Sequence, residues 1–188
     1  MLKEYLNKLS SFSPLSLESK EELRPYISIK NLNKEELLLK HGHVCKHIYY
    51  VHKGFIRIFY YKEGKEVTEW LTGENHFFFS IESFFENTPS RLIIEALEDS
   101  EIIQLSKKGL DTLRKHNLEV ANLMIEWISG SLVLSQKRMN SIQFETAKQR
   151  YDHVLKQQPE MLNKVPLQYI ASFLGITQET LSRIRSKI

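Results

Sequence analysis

Four side chains near the C-terminus have the types and the spacing needed to recognise bases in duplex DNA. They lie at i, i+1, i+4 and i+5 in the run QETLSRIR and are Gln178, Glu179, Ser182 and Arg183. If this run is helical, all four project from its N-terminal half, the part of a helix that enters a major groove. Arginine can donate two hydrogen bonds to guanine, glutamate can accept one from cytosine, and glutamine can pair with adenine. The chemistry that this pattern predicts is recognition of base edges.

The residues around this run predict the helix-turn-helix that would hold it. Ala171 allows two helices to cross closely, and Gly175 can adopt the left-handed conformation that ends the first of them. Thr177 can cap the second helix, and the apolar Leu181 then faces inward. A helical hairpin that serves only for packing is the alternative, because any two amphipathic helices joined at a glycine share part of this pattern.

Basic residues are in excess only at this end of the chain. The 188 residues carry a net charge of +3, and residues 144–188 alone hold seven basic and four acidic residues. Arg185 and Lys187 are placed to contact phosphates, which adds affinity without sequence information. A local excess of positive charge is typical of a segment that meets a polyanion, although an ordinary solvated surface can show it too.

The composition excludes several other classes of protein. With 41% hydrophobic residues, the chain can form one or two soluble domains with a core. Its single cysteine, Cys45, supports neither a disulfide framework nor a multi-cysteine metal site, which favours a reducing compartment. No apolar run approaches the roughly 18 residues of a membrane span, and Glu4 and Lys8 interrupt any signal-peptide core. We therefore expect a cytoplasmic protein without a membrane segment.

Residues 37–105 contain short β-rich segments at close spacing. These segments, among them the run HFFFSIESFF, are rich in Ile, Val, Tyr and Phe and are separated by turn residues. This spacing predicts a sandwich or barrel. Gly64 suits the turn of a hairpin over residues 60–66, because glycine adopts positive φ readily. Two short helices, at residues 1–9 and 17–26, are expected to cap the barrel.

A long helix is predicted from Leu118 to about Ile142. Its apolar residues fall near one stripe made of Val120, Met124, Trp127, Ile128, Leu134 and Met139. Two interpretations are open: the stripe packs on its own barrel, or it pairs with a twofold mate as a coiled coil, where Gly130 and Ser131 would allow close approach. We favour the dimer. Helical patterns continue to the end of the chain, and Pro159 and Pro166 separate them.

The chain resembles the Crp/Fnr superfamily of bacterial transcription regulators over nearly its whole length. The string GITQETLSRI, from Gly175 to Ile184, is similar to that family's recognition-helix motif, in which a Glu and an Arg four residues apart read bases. Glu179 and Arg183 match those positions, whereas Gln178 stands where several members carry a basic residue, which leaves the half-site sequence open. The long helix corresponds to the family's dimerisation helix.

The barrel segment is similar to the family's cyclic-nucleotide-binding β-roll. The similarity rests on HIYYVHKG at residues 47–54, the pair Gly73-Glu74 and EALED at residues 95–99. Members that bind cyclic AMP carry a phosphate-binding cassette that begins with Gly-Glu and ends with Arg-Ser. Here three Phe stand at its start, at residues 77–79, and the order at its end is reversed to Ser90-Arg91. We therefore expect an unknown effector, or none, rather than cyclic AMP.

The remnant of that cassette is the candidate effector pocket. Arg91 could meet an anion and Glu82 could hold a polar group, and the full set of candidate residues is Phe79, Ser80, Glu82, Ser90 and Arg91. The sequence ends soon after the recognition helix, without the family's usual β-hairpin wing. This difference predicts weaker and more salt-sensitive DNA binding for each protomer.

Residues and resemblance together predict an α+β protein that is not an enzyme. We expect a double-stranded β-helix (jelly-roll) sensor domain at residues 1–117, a long dimerisation helix at 118–143 and a helix-turn-helix domain at 144–188. The expected partners are double-stranded DNA, a second copy of the chain and RNA polymerase, with no cofactor beyond an unidentified small-molecule effector. The residues expected to contact DNA are Thr177, Gln178, Glu179, Ser182, Arg183, Arg185 and Lys187.

Two other functions fit parts of the sequence. The first is a metal-dependent enzyme, because His41, His43 and His47, followed by Gly54, resemble the first metal motif of the cupins. His47, however, stands where that motif has Glu, and two histidines flanking a hairpin glycine are the simpler interpretation. The second is a β-roll dimer whose C-terminal segment binds a protein instead of DNA.

Overall fold

Eight strands in two antiparallel sheets form the centre of the molecule, for which a computed structural model describes residues 1–186. The order of the strands is β1-β8-β3-β6 in one sheet and β2-β7-β4-β5 in the other. Their bounds are β1 Ile27–Leu32, β2 Leu37–Leu39, β3 His47–Lys53, β4 Ile56–Lys62, β5 Lys65–Thr72, β6 Phe77–Phe78, β7 Ile93–Ala96 and β8 Ser100–Ser106. The two sheets enclose a shared apolar core and make the predicted roll.

Helices precede, interrupt and follow this roll. They are α1 Leu2–Ser10, α2 Leu17–Leu23, α3 Ile81–Glu86, α4 Lys107–Leu113, α5 Leu118–Phe144, α6 Ala147–Gln157, α7 Met161–Lys164, α8 Leu167–Leu174 and α9 Gln178–Arg185. The predicted mixed fold, with a roll, one long helix and helices beyond it, is confirmed. A single 3₁₀ turn, Arg24–Tyr26, completes the segment that the sequence predicted as one helix.

One tight turn explains why the strands β3 and β4 can follow each other so closely. Gly54 has a φ of +105°, and a Cβ built on it would lie 2.8 Å from the Cα of Ser100. Only glycine fits there, because both the backbone conformation and the space exclude a side chain.

The roll core joins three parts of the chain. Tyr5 and Leu9 of α1 pack with Ile102 and Ile103 of β8, and the N-terminal part of α5 adds Trp127. The helices at the two ends of the roll are therefore held by its core, as the sequence predicted for the N-terminal pair.

A second core connects the roll with the C-terminal helices. Phe55, Leu71 and Leu97 come from the roll, and they pack with Ile170 and Leu181 from α8 and α9. The C-terminal helices are therefore docked on the roll and share buried apolar surface with it.

Two predictions about strands are wrong. The run HFFFSIESFF was predicted as a strand, but only Phe77 and Phe78 are in a strand, and α3 follows. Aromatic residues favour strands locally, but in α3 Phe84 is buried while the adjacent Phe85 is exposed. The strand β1, Ile27–Leu32, lay outside the segment predicted to be β-rich.

The long helix also differs from its prediction. Val120, Met124 and Trp127 are buried against the roll, whereas Ile128 and Met139 are exposed, so only the N-terminal part of the predicted stripe is buried. The helix is long and apolar enough to cross a membrane, and 22% of its most apolar 18-residue window is buried. The expectation that no segment meets this test is therefore wrong, although one such helix is weak evidence for a span because the core helix of a soluble protein can pass the same test.

Candidate nucleic-acid interface

The helices α8 and α9 form the predicted helix-turn-helix. Gly175 ends α8 with a φ of +67°, in the left-handed region. Thr177 caps α9, and its Oγ1 accepts a hydrogen bond from the backbone N–H of Thr180 at 3.2 Å. Ala171 and Leu181 are buried between the two helices, where the sequence analysis placed them. The turn and the cap together fix where α9 begins and which face it presents.

The predicted DNA-contacting side chains that lie within the described residues are exposed on α9 and its cap. The opposite side of the helix packs inward, where Leu181 is buried and Ile184 is half-buried. The exposed set consists of Thr177, Gln178, Glu179, Ser182, Arg183 and Arg185. Lys187, the remaining predicted contact, lies outside the described residues. The structure thus brings six of the seven predicted residues to one exposed helix surface.

Nearby groups favour the ionised form of the Glu179 carboxyl group. A backbone N–H at its own position and the hydroxyl of Thr177 lower its pKa, and the positive charge of Arg183 adds to the effect. An ionised carboxylate only accepts hydrogen bonds, so Glu179 is matched to a donor such as the amino group of cytosine.

Two arginines that the sequence analysis did not single out hold the end of α8. Arg150 of α6 donates from Nε to the carbonyl oxygen of Leu174 at 2.8 Å and from Nη1 to that of Glu145 at 2.6 Å. Arg138 of α5 donates to the carbonyl oxygen of Phe173 and lies 4.1 Å from the centre of its ring. Burial, together with the nearby charge of Arg150, lowers the pKa of Arg138 to about 10. These bonds satisfy carbonyls that the last turn of a helix leaves free.

The five candidate effector residues differ in burial and in their partners. Ser80 and Ser90, at the two ends of the former cassette, are buried, and their hydroxyl oxygens are hydrogen-bonded to each other at 2.9 Å. Phe79 packs edge-on against Phe84, and Glu82 is exposed on α3. The two small hydroxyl groups are engaged within the protein and are not free to bind a phosphate. That the five residues bind an effector stays a prediction.

Arg91, the remaining member of that set, lines an open cleft on the roll. The cleft has a volume of about 720 Å³ and is lined by His41, Tyr60, Tyr61, Lys62 and Arg91. The guanidinium carbon of Arg91 lies 5.6 Å from the centre of the Tyr60 ring. The guanidinium group of Arg91, which the sequence analysis suggested for binding an anion, is thus accessible from this cleft.

The histidines of the metal-enzyme alternative do not gather into a site. His41 and His43 are exposed on either side of Gly42, and His47 is half-buried at the start of β3. Burial lowers the pKa of His47, and the charge of Lys46 lowers it further. Within residues 1–186, no three His, Cys, Asp or Glu side chains lie close enough together to hold a metal ion.

Comparison with known proteins agrees with this geometry. Residues 29–117 match the model of the cyclic nucleotide-binding domain family. A search of the curated proteins finds no match.

Solved structures of regulators are similar to the chain over most of its length. FixK2 from Bradyrhizobium japonicum has a TM-score of 0.70 at 20% identity, covering 86% of this chain and 83% of that one. CLP, a c-di-GMP-responsive global regulator of Xanthomonas campestris, has a TM-score of 0.68 at 18% identity, covering 92% and 91%. A protein from Eubacterium rectale described as a regulator of the crp/fnr family has a TM-score of 0.69 at 18% identity, covering 93% and 85%. At these identities the likeness establishes the fold.

Proposed function

We propose that this chain, whose residues 29–117 match the cyclic nucleotide-binding domain family and whose fold is similar to that of Crp/Fnr regulators, is a transcriptional regulator that binds duplex DNA as a homodimer. One observation carries the proposal. The side chains that can read bases, above all Glu179 and Arg183, are exposed together on α9, while the opposite side of the same helix is buried. A helical hairpin that served only for packing would not need this exposed set.

An exposed apolar seam on α5 supports the homodimer. Apolar side chains recur on it at alternating steps of three and four residues, interrupted once by Ser135, and these are Ile125, Ile128, Leu132, Met139 and Ile142. This spacing has the 3.5-residue period of a coiled-coil seam, and all five side chains are exposed in the single protomer. A second copy presents the same seam, so the twofold pairing of two α5 helices would bury both.

We propose three functional units along the chain. Residues 1–117 sense a signal, residues 118–143 dimerise and residues 144–188 bind DNA. A signal at the roll would shift the α5 pair and thereby change the distance between two recognition helices relative to one turn of DNA, about 34–36 Å. The protein would act in the cytoplasm and without enzymatic activity, and RNA polymerase is the further partner that the resemblance implies.

We propose that cyclic AMP is not the effector. The hydrogen bond between Ser80 and Ser90 occupies the two hydroxyl groups at the ends of the former cassette. An anionic effector would instead meet Arg91 in the open cleft beside Tyr60 and Lys62.

Selection of DNA fragments tests the function. Sheared genomic DNA would be incubated with the wild-type protein, with Arg183→Ala and with Arg114→Ala, and the bound fragments sequenced. Arg114 is a matched control because it is an exposed arginine directly after α4, where its Nε lies 3.0 Å from Asp111. We expect a twofold-symmetric motif with the wild type and Arg114→Ala, and its loss with Arg183→Ala. Binding without a motif, equal in all three proteins, would refute base recognition and favour a protein partner.

A further inference from the structure

Arg57 of β4 is buried although it is charged, and its side chain points away from the roll core. The neighbours Ile56 and Ile58 belong to that core, so the alternation of a strand directs Arg57 to the opposite face. Its side chain is nevertheless only 1% exposed. Something outside the roll must therefore cover it.

The cover is the first helix of the helix-turn-helix. The ring of Tyr169, in α8, lies with its centre 3.5 Å from the guanidinium carbon of Arg57. Phe59 lies on the same strand with its ring centre at 4.1 Å. A planar guanidinium packs well on aromatic rings, and burial strengthens the attraction.

The remaining bonds of Arg57 hold it in one position. Its Nε donates to Oγ1 of Thr68 at 3.1 Å, and its Nη1 donates to Glu66 at 2.7 Å and to Glu95 at 3.5 Å. Burial raises the pKa of Glu95, and the charge of Arg57 opposes that rise. Because the strands β4, β5 and β7 fix the guanidinium, Tyr169 meets a rigid surface.

Two further contacts align α8 on β5 next to this stack. The backbone N–H of Thr68 donates to Oγ of Ser172 at 2.8 Å. Trp70 packs edge-on against Phe173 with ring centres 6.1 Å apart. Since α8 and α9 share the buried core around Leu181, an orientation imposed on α8 is passed on to α9.

We propose that Arg57 is a positioning residue for DNA recognition. Through Tyr169 it holds the helix-turn-helix at one orientation on its own roll, so that the roll, as well as the α5 pair, fixes the half-site spacing that the dimer accepts. This role rests on the proposed function, because it needs two recognition helices that bind one DNA site.

The docking itself can be measured without DNA. Tyr169→Leu removes the ring that stacks on Arg57, whereas Tyr169→Phe keeps it, so the two variants form a matched pair. The Thr68 amide reports the contact because its partner is Ser172. We expect hydrogen exchange at Thr68 to accelerate by about tenfold in Tyr169→Leu and to stay unchanged in Tyr169→Phe, while amides of β8 stay protected in both. Equal exchange at Thr68 in the wild type and both variants would overturn the proposal.

DNA then tests the consequence of the docking. The affinity of each protein would be compared on a twofold site and on the same half-sites moved apart by two base pairs. We expect the wild type and Tyr169→Phe to prefer the first site, and Tyr169→Leu to lose most of that preference while keeping its affinity for a single half-site. A preference that Tyr169→Leu retains would refute the positioning role but leave the DNA-binding function intact. A wild type that binds neither site would refute both.

Discussion

At the scale of single residues, the proposed DNA readout depends on where hydrogen-bonding atoms are left free. The hydroxyl group of Thr177 caps α9, so this exposed residue has a structural role in the helix. The side chains of Glu179 and Arg183 are exposed, and nothing in the described chain forms an ion pair with Arg183. Both side chains therefore reach solvent, and their contact with bases stays a prediction.

The first prediction concerns Glu179, the hydrogen-bond acceptor on the exposed side of α9. Glu179→Gln keeps the shape of the side chain but introduces a donor and removes the charge. We expect the preference for cytosine at one position of each half-site to fall by about 1–3 kcal/mol, with little change at the other positions. Competition binding against site variants measures this loss. An unchanged base ranking would show that Glu179 does not contact a base.

The second prediction concerns cyclic AMP. Because Ser80 and Ser90 bond each other in a buried position, their hydroxyl groups cannot donate to the phosphate of the nucleotide. Thermal unfolding with and without millimolar cyclic AMP should therefore give the same Tm. A rise in Tm that disappears in Arg91→Ala would contradict this expectation and would place the phosphate at Arg91.

Residue-scale features differ in how far sequence reveals them. The positions of Gly175, Thr177 and Leu181 follow from local spacing, because turns and caps depend on a few neighbouring residues. The bond between Ser80 and Ser90 spans ten residues, and the contact between Arg57 and Tyr169 spans far more, so both depend on the completed fold. No local pattern indicates such partners.

At the scale of elements, α5 performs two tasks with different faces. Its N-terminal part buries Val120, Leu123 and Trp127 in the roll core. Its C-terminal part extends beyond the roll and carries the exposed seam, in which Leu132 is 68% exposed. The two interpretations left open by the sequence therefore apply to different parts of one helix.

The third prediction tests the seam. Leu132→Glu places a charge at its centre, whereas Leu17→Glu places the same charge on α2, where Leu17 is 77% exposed. Both positions are helical, and glutamate is a good helix former, so neither change disturbs the helix itself. In sedimentation velocity we expect Leu132→Glu to have the 22.2 kDa mass of one chain, and Leu17→Glu and the wild type to have twice that mass. A dimer that persists in Leu132→Glu would mean that another surface pairs the chains.

The fourth prediction concerns the turn between β3 and β4. In Gly54→Ala the new methyl group would collide with the Ser100 backbone, and the left-handed φ adds strain. We expect the free energy of unfolding to fall by about 3 kcal/mol or more. Gly64→Ala is the control, because its φ is +75° but nothing lies within 4 Å of the added Cβ, and about 1 kcal/mol is expected. Equal losses in urea unfolding would mean that the space around Gly54 adjusts.

Element prediction from the sequence succeeded where alternation, turn glycines or caps mark an element, and it failed at the short helix α3. The hairpin of β4 and β5 and the helices α8 and α9 follow from alternation, turn glycines and caps. The six-residue helix α3 is too short to show a period, and its aromatic residues favour a strand in isolation. Its helical form depends on where Phe84 is buried in the roll.

At the scale of the whole molecule, the C-terminal helices that carry α9 pack directly on the roll. The second core and the Arg57 stack both cross from the strands to α8. A change in the roll can therefore reach α9 through direct contact as well as through α5. Sequence patterns alone could not predict this docking, because the period and the caps of each helix do not show which other element it packs against.

A footprint on the selected DNA site tests the central claim most directly, since it requires the dimer and the reading helix at once. Hydroxyl-radical cleavage would be compared for the wild type, the monomeric Leu132→Glu and Arg183→Ala. We predict two protected patches related by twofold symmetry, with centres about 34–36 Å apart along the duplex, for the wild type alone. Leu132→Glu should protect at most one patch, at much higher concentration, and Arg183→Ala should protect no defined site. The same two patches in all three proteins, or protection without symmetry in the wild type, would contradict the account.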